Sequence, residues 1–255
     1  MNINLDFLEE EIVGKSVPVA TSGQTSGHAA GEPFDVLVFE EIRCQYPGQT
    51  FRQYEYLNKL FEENLSATTI DGRNQLISPE AIKLLLARGN SATRSWSVES
   101  KFDEKQNDTA DIIVDKDEFL NLLDVKTYDE EKKGQAPNII SAYKIASMCK
   151  EMIESNNYSS HDFTYIQVDW KKEGDSLEAT SLWISELFKS DPEELYINWA
   201  AAMQIQFHVS ALGQDYRGDI REWCLGFIRT FVSSAQGRVT TMEEKFVEPF
   251  QALLN

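Results

Sequence analysis

The stretch Asp111–Thr127, DIIVDKDEFLNLLDVKT, decides the fold. Two apolar runs, Asp111–Val114 (DIIV) and Phe119–Thr127 (FLNLLDVKT), flank the polar turn DKDE. Short runs rich in Ile, Leu and Val, bounded by turn residues, read as a hairpin of buried strands. Residues two apart in a strand share a face, so Asp124 and Lys126 project together while Val125 points into the core. If Asp111 opens the neighbouring strand, its carboxylate reaches the same place. Phosphodiester hydrolysis needs a divalent cation to screen the phosphate and acidify water, and a second cation to steady the transition state. Asp111 and Asp124 offer the oxygen ligands that Mg²⁺ prefers, and Lys126 offers the cation.

The spacing alone carries little weight. An acid stands two residues before a lysine also at Glu99/Lys101, Asp103/Lys105, Glu130/Lys132, Glu131/Lys133, Asp169/Lys171 and Glu243/Lys245. Context selects Asp124/Lys126, which ends an apolar strand and has a second acid opening another strand upstream. Asp169/Lys171 is the nearest rival, since it too ends a strand. The plain structural reading of either pair is a strand-end ion pair on a solvated face.

Outward from the hairpin, Gln135, Ala136 and Pro137 lead into Ile139–Ile153, whose apolar residues suit one helix face. Phe163–Trp170 (FTYIQVDW) reads as a strand, and Leu195–Val209 and Arg221–Leu254 read as mainly helical around a turn at Gly213–Gly218. Toward the N-terminus, Thr21–Gly31 (TSGQTSGHAAG) is a run of small and hydroxyl residues, expected as a loop that either connects elements or approaches a phosphate or groove closely. A helix is expected after it, with Gly31 as cap and Pro33 in its first turn. The expected fold is α/β, a central mixed β-sheet flanked by helices, with residues 1–255 forming one domain.

The 255 residues are 42% hydrophobic and 26% charged, ordinary globular usage. No stretch approaches the roughly 20 apolar residues that span a bilayer, and the acidic N-terminus lacks a signal-peptide pattern, so a cytoplasmic location and no membrane partner are expected. Cys44, Cys149 and Cys224 are odd in number and widely separated, which fits reduced thiols, and His28, His161 and His208 have no metal-ligand spacing. A net charge of −18 by itself argues against nucleic acid as partner. Binding depends on the field in one cleft, however, and the segment from Lys83 to Lys150 also carries Arg88, Arg94, Lys101, Lys105, Lys116, Lys126, Lys132, Lys133 and Lys144. A local basic lining is compatible with that distribution.

Longer blocks carry a resemblance. SGQTSGHAAGEPF (Ser22–Phe34), FRQYEYLNKLF (Phe51–Phe61), DEKQNDTADI (Asp103–Ile112), LLDVKT (Leu122–Thr127), QAPNIISAYK (Gln135–Lys144), ELYINWAAAMQIQFHV (Glu194–Val209) and KFVEPF (Lys245–Phe250) together resemble the HincII restriction endonucleases over essentially the whole chain. The resemblance implies a PD-(D/E)xK nuclease fold, a Mg²⁺ cofactor, and a homodimer acting on double-stranded DNA. It implies cleavage at the centre of GT-pyrimidine-purine-AC with blunt ends. It places the catalytic roles on Asp111, Asp124 and Lys126, with Asp111 and Asp124 as metal ligands. Thr109-Ala110 stands where the generic motif has proline, as it does in the HincII-like enzymes.

The resemblance also assigns DNA contacts to Gln106, Gln135, Ala136, Asn138 and Asn198, in segments about 21–34, 135–144 and 195–209, with Gln135 wedging into the duplex. From the residues alone, Asn138 has the paired donor and acceptor of a base-reading amide and equally the chemistry of a helix cap. Trp199, Met203 and Phe207 at helical spacing read as core, and Ala201 and Ala202 as residues that let the backbone approach a groove. His28 and His208 read as structural. Two other functions fit the fold: a repair or junction nuclease, which needs the triad but not QAPN, and a catalytically idle acidic DNA mimic or binding protein, against which the three intact residues speak.

Overall fold

The structure, a computed structural model, describes residues 2–19, 28–64, 69–88, 92–104, 108–132, 136–251 and 253–254, with the backbone alone at 28–31, 70, 88, 92 and 93. A six-stranded mixed sheet runs β1 (Ser16–Pro18), β9 (Ser176–Glu186), β8 (His161–Glu173), β6 (Phe119–Asp129), β5 (Ile112–Lys116) and β2 (Thr50–Phe51). All pairings are antiparallel except β6 with β8, which is parallel over ten residues from Leu120↔His161 to Asp129↔Trp170. A parallel neighbour needs a crossover, and the chain between β6 and β8 supplies it through β7 (Asn138–Ser141) and helix α6 (Ala142–Ser155).

The β5–β6 hairpin is in place, closed by two residues, Asp117 and Glu118, both at positive φ of 53° and 62°. Strand alternation then sorts side chains to two cores. Ile112, Val114, Leu123, Val125, Ile166 and Val168 face helices α1 (Phe7–Ile12) and α2 (His28–Gln45), with Leu8, Ile12, Phe34, Val38 and Ile42. Ile113, Leu120, Leu122, Phe163 and Tyr165 face the opposite layer, built from α3 (Gln53–Glu63), α4 (Ile70–Leu76), α5 (Glu80–Leu86), α6 and the long α7 (Ile220–Met242), with β3 (Ala87–Arg88) and β4 (Ala92–Thr93) paired in a short ribbon after α5.

Three expectations are corrected. Helix α2 begins at His28, so Gly31 is not its cap and Pro33 lies inside it; residues 21–27 of the expected loop lie outside the described residues. The expected helix from Ile139 begins only at Ala142, with Ser141 at its N-cap. The β-branched pair Ile139-Ile140 instead forms β7, where both side chains are buried, which suits their stiff χ1 better than a helix does. Leu195–Val209 is not helical either. It is a hairpin of β10 (Tyr196–Asn198) and β11 (Gln204–Gln206) that joins β7 in a separate three-stranded antiparallel sheet.

The helical spacing in that segment misleads because its apolar residues belong to a turn. Trp199–Ala201 forms one 3₁₀ turn, and Ala202 and Met203 follow with φ of 53° and 60°. The strands on either side read polar-apolar-polar, YIN and QIQ, with Ile197 opposite Ile205. Trp199, Met203 and Phe207 do pack on the core as expected.

Candidate active site and DNA-reading sheet

Backbone pairing fixes the first group of candidate residues. The Asp111 N–H donates to the Leu123 carbonyl at 3.0 Å, extending the hairpin one residue beyond β5. In return, Asp111 Oδ2 accepts the Val125 N–H at 2.7 Å. The Asp111 carboxylate is thereby held against the backbone between Asp124 and Lys126. Those two side chains replace the apolar residues that precede them on the same face of β6, Leu120 and Leu122.

Asp124 is 6% exposed, and Lys126 Nζ stands 2.7 Å from its Oδ2. That contact falls outside hydrogen-bond geometry, and among the described residues no other hydrogen bond reaches this buried Oδ2, so the ammonium is its charge partner. Burial pushes the Asp124 carboxyl up to about 8, Lys126 pulling it down and Asp111 pushing it further up. Burial alone would lower the Lys126 ammonium, but Asp124 and Asp111 outweigh it and hold the group above its ordinary range. Two carboxyl groups crowded in a dry site, one of them raised by burial and by the other, suit a hard divalent cation whose charge would favour the ionised form of both. Among the described residues no group of three or more His, Cys, Asp or Glu is arranged to hold a metal. Two carboxylates, with water and a substrate phosphate completing the shell, are the usual arrangement for Mg²⁺.

A third acid borders the pair. Asp35 on α2 accepts from Arg52 Nη1 through both oxygens, at 2.9 and 2.8 Å, and the same Nη1 donates to the Asp111 carbonyl at 3.3 Å. The Arg52 guanidinium also lies 4.2 Å from the centroid of Phe39. Burial and Asp111 both raise the Asp35 carboxyl, and Arg52 opposes them. The sequence reading missed this bridge. Its signal was an acid one turn before Phe39, on the inward side of α2.

The rival pair falls apart. Asp169 accepts from Gln167 Nε2 at 2.6 Å and Trp183 Nε1 at 2.7 Å. Lys171 instead pairs with Glu173 and Glu178, at 2.9 and 3.6 Å.

The second group sits on the three-stranded sheet. Asn138 opens β7, is exposed and caps no helix. Asn198 ends β10, and its Oδ1 accepts the N–H groups of Ala200 and Ala201 at 3.0 and 3.3 Å, capping the 3₁₀ turn. Between them stands Gln206 of β11, which accepts from Asn198 Nδ2 at 3.0 Å and donates to Asn138 Oδ1 at 2.7 Å. Gln206 was missed because a segment read as a helix gave it no facing partner. Ala136 is half-buried in the segment before β7; Gln106 and Gln135 lie outside the described residues. His208 meets Tyr128 edge-on at 5.1 Å, consistent with a structural role.

The basic stretch is largely neutralised by acids of its own chain. Lys83 pairs with Glu151, Lys101 with Glu62, Lys132 with Asp129 and Lys150 with Glu154. Arg94 and Lys144 are buried.

A sequence model of the family described as "Restriction endonuclease HincII" matches residues 8–254. The chain is 48% identical over 240 residues to the type II restriction enzyme HindII of Haemophilus influenzae strain Rd, covering 94% of this chain and 93% of that protein. It is equally similar, 48% over 240 residues, to the type II restriction enzyme HincII of Haemophilus influenzae. Among solved structures, the NlaIV restriction endonuclease matches with a TM-score of 0.31 and 13% identity over 89% of each chain.

Proposed function

The chain belongs to the HincII restriction endonuclease family and is a type II restriction enzyme; from that premise we propose that it cuts double-stranded DNA with Mg²⁺ at the centre of a palindrome of the form GT-pyrimidine-purine-AC, leaving blunt ends. Asp111, Asp124 and Lys126 form the active site, within residues 1–255 acting as one endonuclease domain in the cytoplasm, where the DNA is. The observation that carries this reading is the buried Asp124 carboxyl beside a carboxylate pinned at Val125 N–H and an ammonium 2.7 Å from its Oδ2.

Asp111 and Asp124 would hold the cation, which when bound supplies charge neutralisation at the phosphate and acidifies water. Lys126, kept protonated by its two acids, donates a hydrogen bond toward the attacking water or a phosphoryl oxygen. Arg52 keeps Asp35 and the Asp111 backbone in register. Gln135 wedges at the central step, whose degeneracy then reflects how readily that step deforms. Gln106, Ala136, Asn138 and Asn198 contact the DNA, and Ala201 and Ala202 allow close backbone approach.

A palindrome cut on both strands needs two sites related by a dyad, hence a homodimer. An apolar face for the second copy is available on the C-terminal helix. Only the start of α7 is buried, at Trp223, Cys224, Gly226 and Phe227. Beyond it Val232, Val239, Met242, Phe246 and Phe250 recur at helical spacing with 42–65% exposure. Among the described residues no helix is long and apolar enough to cross a membrane.

Digestion of plasmid DNA of known sequence with Mg²⁺, followed by mapping of the ends, tests the reading. Blunt ends at one palindromic site are expected; random nicking, or no cutting with any divalent metal, overturns it. Sedimentation at micromolar concentration should give a dimer without DNA.

A further inference from the structure

The three amides of the second sheet form a chain whose polarity is set at one end by the backbone. Asn198 accepts two main-chain N–H groups, from Ala200 and Ala201, through one side-chain atom. Only an oxygen can do that. Its Nδ2 therefore faces Gln206, which must present Oε1. The Nε2 of Gln206 is then turned to Asn138, which must present Oδ1. By elimination the Asn138 Nδ2 is the outward group, and among the described residues it has no protein partner. A lone exposed asparagine could offer a base edge either its donor or its acceptor; this one is committed.

We infer that Gln206 is a specificity-determining residue that reaches the DNA through Asn138, locking that amide so that it presents its amino group and reads only base edges carrying a hydrogen-bond acceptor. The inference rests on the reading of Asn138 as a base contact. The donor–acceptor pattern of a base pair distinguishes it from the others, so a committed donor rejects pairs that place an exocyclic amine at that position. Gln206 acts as a positioning residue. Its two hydrogen bonds couple β10 and β7, so the 3₁₀ turn capped by Asn198 and the segment leading from Ala136 to Asn138 are held in one arrangement.

Three variants test the relay, with cleavage profiled on duplexes carrying every base pair at each position of the site. Gln206→Glu has only acceptors: it keeps the Asn198 bond but forces Asn138 to turn its Nδ2 inward and its Oδ1 outward. The preference at the base pair facing Asn138 should shift toward a pair presenting an amine there. Asn138→Asp, an exposed substitution that leaves the fold alone, keeps the Gln206 bond and also puts an oxygen outward, so it should shift preference at the same base pair. Gln206→Met, of similar length and without polar atoms, frees Asn138 to rotate, and discrimination at that pair should fall roughly tenfold while the other positions keep theirs. Asn138→Ala provides the reference. If it relaxes one base pair and the Gln206 variants leave that pair's preference unchanged, slowing every site equally, the relay is overturned while the base contact stands. If Asn138→Ala relaxes no base pair, the contact itself fails. Thermal melts separate both results from unfolding.

Discussion

The β5–β6 hairpin and the sheet of β7, β10 and β11 carry the two halves of the proposed activity, and they are held in opposite ways. The hairpin is embedded in a six-stranded sheet with an apolar core on each face, so Asp124 and Lys126 are placed by a register that cannot slip without turning Val125 outward. The second sheet has strands of three or four residues with a register shift at Gln204/Gln206. Its side chains are held by one another's amides and by a turn anchored on α7, where Trp199 Nε1 donates to Ser234 Oγ at 2.8 Å. The proposed chemistry sits on the rigid element, and the proposed base reading on one whose geometry depends on polar contacts. Damage at the first should remove cleavage while sparing recognition; damage at the second should do the reverse.

The largest effect is expected at Asp124. Asp124→Asn should lower cleavage by at least about 10³-fold, because it removes a proposed metal ligand and the main partner that holds Lys126 protonated. Binding to the cognate duplex in Ca²⁺ should survive, since Asn138 and Asn198, proposed to read the DNA, are on the other sheet. Divalent cation should raise the melting temperature of the wild type and should no longer raise that of the variant. Lys126→Ala should lose cleavage comparably. Near-normal cleavage by either variant in a filter-binding and gel assay would move the active site elsewhere.

The same contrast explains what could be read in advance. The hairpin was legible because burial on both faces writes a long apolar run into the sequence, and the exceptions to it, Asp124 and Lys126, are the residues of interest. Asn138 and Asn198 were visible as residues but not as neighbours. Their strands are too short to show a period, and the alanines and Trp199 between them imitate a helix face. A turn with two consecutive left-handed residues, Ala202 and Met203, has no glycine to announce it. The Arg52–Asp35 bridge joins α3's N-terminus to α2 across sequence, which no local pattern reports.

The next effects test each region by stability. His161 opens β8 opposite Leu120, and its Nε2 lies 3.1 Å from Met148 Sδ. Burial holds its imidazole down at about 4, below the 6.5 of the unfolded chain, with Glu80 opposing weakly. The unfolded state therefore takes up the proton first. Stability is fully present above pH 6.5 and lost as pH falls through 4, on the order of 3 kcal/mol from this group. Urea titrations of His161→Leu and wild type should show the wild type losing that much more across the window; parallel curves would mean His161 is already charged when folded. On the second sheet, Asn198→Ala removes the 3₁₀ cap and one end of the amide chain. It should cost about 1 kcal/mol in the same titration and relax base discrimination at constant cleavage chemistry, read as an unchanged single-turnover rate on pre-bound cognate DNA.

The smallest effect lies at the closed end of the hairpin itself. A two-residue hairpin turn whose strands twist correctly needs φ > 0 at both central residues, which favours Asn-Gly or Asp-Gly. Here the pair is Asp117-Glu118, at 53° and 62°. Aspartate tolerates the left-handed region, but glutamate meets the full Cβ clash with the following carbonyl, roughly 1–2 kcal/mol. Glycine removes that strain and returns part of the gain as extra unfolded-state entropy. Glu118→Gly should thus stabilise the protein by about 0.5–1 kcal/mol in urea. The turn follows Lys116↔Phe119, while Asp111 and Asp124 lie at the open end, past Ile112↔Leu123. Cleavage rate and site preference should not change. A loss of activity with the gain in stability would mean that turn strain is transmitted along the strands to the carboxylates, and that the hairpin is less rigid than its two cores imply.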